Sequence, residues 1–362
     1  MTPILRIPSR CLTALLALAI SASTFAQWTT PQVTAPGLQY RTFFSPAANA
    51  TVSFHIYLPP EYTANPTARF PVLYWLHGSG SPTAGISAMR NWFSSAMSQG
   101  KIPPMLLVFP NGMGASMWCN SKDGTVPMES VVTDDLIPHV DATFRTIDAR
   151  RGRIVEGFSM GGAGSARLGL RRTDLFGGIS MLGAGPMQLD FMAAPLGTDV
   201  PPETRALLYE RVWGSDPDQY LAEHPWTIVT VQPDAHARLG TVLRIGCGDL
   251  DAMLPGNADF HQHLIGLGVP HTFTTIPNVD HNALQTLQGL AVQTGWGFYS
   301  AALAVPDPRA ADLDVNGRID GGDLAVLLLN FGDCSGTCRS DLDGSGAVDS
   351  CDAALLLLDF DA

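Results

Sequence analysis

Between residues 36 and 297, short apolar runs alternate with longer mixed segments, and this rhythm restricts the possible folds more than any other feature of the chain. The runs at 72–76, 105–109, 154–156, 178–182, 242–246 and 272–276 read as strands. Several are apolar throughout, as expected of parallel strands covered on both faces. Parallel neighbours need crossover connections long enough to hold a helix. Residues 134–149 and 258–267 have helical spacing of apolar side chains, and 283–304 reads as a closing helix. Residues 52–58 alternate and stop at Pro59-Pro60, like an early antiparallel strand. The Pro-rich stretch 186–240 is less regular and reads as an insertion or cap. The expected fold is α/β, with a mostly parallel central sheet and helices on both faces.

Charge divides the chain differently. The net charge of −12 argues against a nucleic-acid binder, which needs a basic face to displace counterions. After residue 305 there are twelve Asp, no Glu and three Arg, a net of −9, which leaves only −3 for everything before. A short acidic tail therefore follows a nearly neutral body, across a break at Val305-Pro306-Asp307-Pro308.

At the other end, Arg6 and Arg10 precede an apolar stretch over 12–20, and Ser21-Ala22-Ser23-Thr24-Phe25-Ala26 supplies small residues for cleavage. This pattern describes a secretory signal peptide over 1–26, and its apolar run is too short to span a bilayer. The expectation is an exported protein, secreted or held at the cell surface, with no membrane span. Export leaves five cysteines: Cys119, Cys247, Cys334, Cys338 and Cys351. An odd count leaves at least one thiol free or paired between chains, and Cys334 and Cys338 could close a tight local loop.

Gly157-Phe158-Ser159-Met160-Gly161 has the pattern of a nucleophile elbow, between a strand and a helix start rich in small residues. The two glycines permit a tight strand-to-helix turn that lifts the serine oxygen above the sheet. A serine hydroxyl becomes a nucleophile only when an aligned imidazole takes its proton and a carboxylate holds that imidazole. The partners of such an elbow follow it in chain order, acid before histidine. His281, in the loop after the 272–276 strand, is the best-placed histidine. Cys247-Gly248-Asp249-Leu250-Asp251 closes the preceding strand with two carboxylates, and spacing does not choose between them. His261, His263 and His271 read as surface or satisfied histidines. Oxyanion donors are expected from the Met160 amide and from the strand-end loop Leu76-His77-Gly78-Ser79-Gly80, with His77 orienting that loop.

Phe70-Pro71-Val72-Leu73-Tyr74-Trp75-Leu76-His77-Gly78, then 156–162, then Cys247-Gly248-x-x-Asp251, with His281 last, resemble the putative esterase family of α/β-hydrolases. That family includes feruloyl and acetylxylan esterases, S-formylglutathione hydrolases and mycolyltransferases. The resemblance covers roughly residues 37–302. It implies Ser159 as nucleophile, His281 as base and Asp251 rather than Asp249 as acid, with oxyanion amides at Ser79 and Met160. Trp118 and Glu129, in the segment after the 105–109 strand, are candidates to shape the acyl pocket, with a plain packing role at least as strong an expectation.

In the tail, residues 312–331 and 341–360 form an internal repeat, identical at eleven of twenty positions. Each copy opens with oxygen-bearing residues at loop positions 1, 3, 5, 9 and 12 and Gly at 6, a pattern suited to Ca²⁺. The first loop offers Asp312, Asp314, Asn316, Asp320 and Asp323, and the second Asp341, Asp343, Ser345, Asp349 and Asp352. Position 7, Arg318 or Ala347, contributes its backbone carbonyl. Asp at position 12 and prolines ahead of the first loop depart from the standard EF-hand and resemble dockerin modules. That resemblance implies a small all-α module holding two Ca²⁺ ions and docking onto a cohesin-like protein. Positions 10 and 11, Gly321-Gly322 and Ser350-Cys351, differ from the usual hydroxyl pairs.

The expected organisation is a signal peptide over 1–26, a hydrolase domain over 27–304, a linker over 305–311 and a calcium-binding module over 312–362. The expected activity is a serine carboxylic-ester hydrolase with no cofactor for catalysis, acting on acylated polysaccharide. The rival is a non-catalytic binding protein on a hydrolase scaffold, which would have no physical need for all three of Ser159, Asp251 and His281.

Overall fold

The computed structural model describes residues 27–193, 200–305, 310–333, 338–343 and 345–361. The expected signal peptide and most of the linker lie outside them, as does Cys334.

Strands β1 (Leu38–Ser45) and β2 (Ala50–Tyr57) form an antiparallel hairpin, and β2 pairs antiparallel with β4 (Leu106–Pro110). From β4 the sheet is parallel through β3 (Val72–Leu76), β5 (Arg153–Phe158), β6 (Gly178–Leu182), β7 (Val242–Gly248) and β8 (Thr272–Ile276). Alternate residues of β3 enter opposite cores: Val72, Tyr74 and Leu76 on one face, Leu73 and Trp75 on the other. Both faces are thus buried, which is why these strands read as unbroken apolar runs. The β1 strand was not anticipated, because its Gln, Tyr, Arg and Thr give it an edge composition rather than an apolar one.

The helices are α1 (Pro60–Ala64), α2 (Ile86–Ser98), α3 (Met128–Ser130), α4 (Ile137–Thr143) and α5 (Met160–Arg171). A π-helical turn, Val131–Leu136, joins α3 to α4 just ahead of Pro138, whose missing N–H cannot complete an ordinary helical ladder. Helix therefore starts earlier and stops earlier than the 134–149 expectation. Between β6 and β7 lie α6 (Pro202–Trp213), α7 (Pro217–Ala222), α8 (Pro225–Val231) and α9 (Ala235–Arg238). The segment expected to be irregular is largely helical. Pro202, Pro217 and Pro225 each occupy a first helical turn, where a missing N–H costs nothing, so these prolines start helices rather than break them. Helix α10 (Leu254–Gly266) follows β7. The closing helix is two, α11 (Ala283–Gln293) and α12 (Gly297–Ala302), interrupted at Gly295, which has a φ of 71°.

A buried polar network ties the central strands together. Arg244 on β7 donates to Glu156 on β5 at 2.5 Å, and Ser180 on β6 donates to the same carboxylate at 2.7 Å. The Tyr299 hydroxyl of α12 reaches the other Glu156 oxygen at 3.1 Å. Breaking one member would strand a charge in the core, so the network locks β5 to β7.

The C-terminal module has its own small core of Leu313, Ile319, Leu327, Val348 and Leu356. It contains α13 (Gly321–Leu329) and α14 (Ser350–Leu358), each N-capped by an aspartate, Asp320 or Asp349. It is not wholly helical as expected: β9 (Gly332–Asp333) pairs antiparallel with β10 (Ala347–Val348). The first half closes in the same way, since the Asp361 amide donates to the Ile319 carbonyl at 2.8 Å and the Ile319 amide donates to the Asp361 carboxylate. Arg238 of the preceding domain donates to the Asn316 carbonyl of the first loop at 2.7 Å. Among the described cysteines, Cys119, Cys247 and Cys351 are free and Cys338 is disulfide-bonded.

Candidate functional site

Ser159 sits between the end of β5 and the start of α5 with φ 59° and ψ −121°, a conformation that non-glycine residues rarely adopt. Such strain persists only where the surroundings impose it. The Ser159 amide donates to the Leu182 carbonyl at 2.9 Å, and Gly161 packs against the Leu76 carbonyl where a side chain would collide.

The structure brings together the three residues that sequence placed in sequential loops. His281 Nε2 lies 2.9 Å from Ser159 Oγ, and His281 Nδ1 lies 2.9 Å from both Asp251 carboxylate oxygens. Asp251 is 3% exposed and accepts the Met253 amide at 2.8 Å. Asp249 is exposed at the end of β7, and its amide donates to the Ile276 carbonyl, so it serves the sheet rather than the imidazole. A partner that sequence reading missed is Cys247, a buried thiol hydrogen-bonded to Asp251, whose pKa is pushed up by burial and then by that carboxylate.

Gly78 brings the strand-end loop against the elbow: an added Cβ there would sit 3.2 Å from Ser159 Cβ. Ser79 follows Gly78 in that loop and lines the same pocket as Ser159, and the Met160 amide is at the free N-terminus of α5. His77 lies within that loop. Its Nδ1 donates to the Gly78 carbonyl at 2.7 Å and its Nε2 accepts the Gly112 amide at 3.1 Å. Burial pushes its pKa down to about 4, so it stays neutral at ordinary pH and braces the loop.

Neither Trp118 nor Glu129 is among the residues that line the pocket at Ser159. Trp118 is fully buried, and its indole N–H donates to the His77 carbonyl at 3.1 Å, supporting the loop from below. Met117 and Trp118 both have positive φ, near 55°, which turns the indole under the loop. Glu129 is buried and bridges to Arg171 at 3.0 Å, a packing role. The pocket itself encloses about 420 Å³ and is walled by Trp75, Met89, Phe158, Phe191, Leu208 and Met253. An apolar chamber with one nucleophile at its floor suits the acyl half of an ester.

In the C-terminal module, the carboxylates of Asp312, Asp314 and Asp323 converge to within 4.8 Å of one another, as do those of Asp341, Asp343 and Asp352. These are positions 1, 3 and 12 of the two loops. Gly317 and Gly346, at position 6, have φ of 83° and 92°. Burial, then the neighbouring Asp323 charge among other contributions, raises the pKa of Asp314, and burial foremost raises that of Asp312. Packing three carboxylates this closely is unfavourable unless a cation sits among them, and an all-oxygen donor set fits a hard divalent ion. The remaining expected ligands each make one bond within the module, which leaves their oxygens further acceptor capacity. Asp320 and Asp349 cap helices, the Asn316 side chain accepts the Arg318 amide, and the Ser345 hydroxyl donates to the Ala347 carbonyl.

A mostly parallel sheet with the serine turn after β5, the carboxylate after β7 and the histidine after β8 defines the α/β-hydrolase class. Residues 45–264 match the family described as "Putative esterase", and the chain belongs to that family. It is 30% identical over 158 residues to an endo-1,4-beta-xylanase/feruloyl esterase of Xylanibacter ruminicola, covering 41% of this chain and 22% of that protein. It is 26% identical over 265 residues to Esterase Rv1288 of Mycobacterium tuberculosis, covering 67% of this chain and 55% of that protein. The chain thus spans about a fifth and about half of these relatives' lengths. Among solved structures, a ferulic acid esterase superposes with a TM-score of 0.59 at 21% identity, covering 73% of this chain and 98% of that one. No helix among the described residues is long and apolar enough to cross a membrane.

Proposed function

We propose that this chain is an exported serine carboxylic-ester hydrolase that works through an acyl-Ser159 intermediate. The observation that carries the reading is the continuous line from the Asp251 carboxylate through His281 to Ser159 Oγ, opening on an apolar pocket. Ser159 Oγ attacks the ester carbonyl while His281 Nε2 takes its proton, and Asp251 holds Nδ1–H and the imidazolium that forms. The Ser79 and Met160 amides face the oxyanion. His281 returns the proton to the departing alcohol, and a water then repeats the sequence on the acyl-enzyme. The apolar pocket favours an aromatic or otherwise apolar acyl group. The xylanase/feruloyl esterase relative and the appended module support a polysaccharide as its carrier. The amino-terminal pattern supports export.

The module is proposed to bind two Ca²⁺ ions. Asp312, Asp314 and Asp323 would hold one, and Asp341, Asp343 and Asp352 the other. Asn316, Asp320, Ser345 and Asp349, with the carbonyls of Arg318 and Ala347, would complete the shells. Two such ions would neutralise the clustered carboxylates and so favour the folded loops. Leu329 and Leu358, 86% and 81% exposed on α13 and α14, support docking onto a cohesin-like partner.

The test is turnover of a panel of aryl esters from acetyl to feruloyl by the wild type and by Ser159→Ala. Hydrolysis is expected from the wild type only, fastest with the bulkier apolar acyl groups. Full turnover by a folded Ser159→Ala protein would falsify the assignment.

A further inference from the structure

We propose that Arg167, a buried residue of α5 that takes no part in the proton transfers, is a positioning residue for the acyl pocket. It fixes the turn that carries Met117 and Trp118 and ties to that turn the cap, the helices between β6 and β7. The proposal rests on the esterase reading for its effect on turnover, and on the contacts alone for the positioning itself.

About two turns along α5 from Ser159, Arg167 is 3% exposed. Its Nη1 donates to the Met117 carbonyl, and its Nε donates to the Glu223 carbonyl at 2.6 Å. Glu223 follows the last residue of α7, where a helix leaves carbonyls without partners of their own. The Glu223 carboxylate lies 3.8 Å from the same Nε and 2.9 Å from Nη1 of Arg171, one turn further along, so the buried charge is balanced. A planar guanidinium holds two carbonyls in a fixed fork, which a flexible lysine ammonium does not reproduce.

Both ends of this fork lead to the pocket. Met117 and Trp118 stand at positive φ, a conformation that the surroundings must impose. Met117 lines the acyl pocket, and Trp118 braces the Ser79 loop through the His77 carbonyl. The indole fills a slot that a side chain at Gly112 or Gly164 would block, and Gly164 lies on the same face of α5 as Arg167. On the cap side, Tyr220 of α7 packs edge-on against Phe191 at 5.5 Å between ring centres, and Phe191 is a wall of the pocket. One side chain outside the pocket lining therefore sets two of its walls and the bracing of the Ser79 loop.

The experiment has two arms. In the first, full-length wild type and Arg167→Lys are compared on p-nitrophenyl acetate and p-nitrophenyl hexanoate, with rates normalised to Ser159 titrated by a fluorophosphonate. Arg172→Gln, which loses the ion pairs to Asp134 and Asp174 at the end of the same helix, is the control. An acetyl group fills little of a chamber of about 420 Å³, whereas a longer acyl chain reaches its walls. Arg167→Lys should therefore lower kcat on both esters, through the Trp118 brace, and raise KM on the hexanoate alone. The hexanoate-to-acetate ratio of kcat/KM should fall about tenfold, the scale of one lost charge-assisted hydrogen bond. An unchanged ratio, or an equal fall in Arg172→Gln, overturns the proposal. Should Arg167→Lys unfold, Arg167→Gln with Glu223→Gln, which removes both charges together, takes its place under the same criteria. In the second arm, methionine methyl groups are observed by NMR, with the Met117 signal assigned by its loss in Met117→Leu. That signal should shift or broaden in Arg167→Lys and stay in place in Arg172→Gln. A Met117 signal unmoved by the Arg167 substitution overturns the proposal. If wild-type protein cleaves neither ester, the esterase reading fails, and the methionine spectrum alone still decides the positioning.

Discussion

Acid should unfold the hydrolase domain through its buried histidines. His55, His77, His224 and His236 are each at most 5% exposed, and burial foremost pushes their pKa values down to about 4, about 4, about 3 and about 4. In the unfolded chain each returns to about 6.5. Between these values the unfolded state binds more protons, so the stability these neutral rings give is complete above about pH 6.5 and is lost as pH falls toward 4. At pH 5 the difference is about 2 kcal/mol for each histidine, or about 8 kcal/mol for four, comparable with the whole stability of an ordinary domain. One histidine can be isolated. His236 contacts the Thr241 hydroxyl at 3.2 Å and the Leu170 carbonyl at 3.3 Å, bonds that a glutamine amide can partly replace. His236→Gln should lose some stability at neutral pH, yet its further loss on going to pH 5 should be about 2 kcal/mol smaller than the wild type's. Urea unfolding followed by tryptophan fluorescence, with calcium present throughout, measures both quantities. If wild type and His236→Gln lose equal stability on acidification, His236 is not held neutral by the fold and the reasoning fails.

Asp251→Asn should reduce turnover by several orders of magnitude, about 10⁴ by analogy with the protease triad, while Asp249→Asn should change it little. Steady-state kinetics of the two variants would expose a wrong choice of carboxylate by reversing that ranking. Trp118→Phe removes only the indole donor to the His77 carbonyl. It should lower kcat about tenfold with KM nearly unchanged, since about 1–2 kcal/mol of loop support is lost; a change confined to KM would place Trp118 in substrate binding instead. Chelation should loosen the region from residue 312 onward in hydrogen exchange and leave ester turnover nearly constant. Loss of turnover on chelation would make the module part of the catalytic structure.

The parallel strands and the serine turn were legible because each is written locally: unbroken apolar runs for the strands, and two glycines around Ser159 for the turn. Asp251 and His281 were legible as members of short strand-end loops, but which carboxylate faces the imidazole depends on how β7 ends, and spacing carries no information about that. Trp118 was singled out in the sequence with two open roles, and the bond that decides for packing was not legible because it goes to a carbonyl some forty residues away. The cap was misread because a proline in a first helical turn looks, in sequence, like a proline that prevents one. A cleft lined by Gln188, Trp226 and Asp259 is invisible in sequence, since α8, α10 and the segment after β6 meet only in the fold.

The reciprocal closure of the C-terminal module bears on the order in which it is made. Asp314 and its neighbours are synthesised well before Asp361, yet Ile319 takes both of its backbone partners from Asp361. The second loop is closed likewise by Gly332, beyond the end of α13. Neither half of the internal repeat can therefore finish alone, and the half that leaves the ribosome first must wait for the last. The module should fold in a single late step, after the hydrolase domain it touches through Arg238 is already in place.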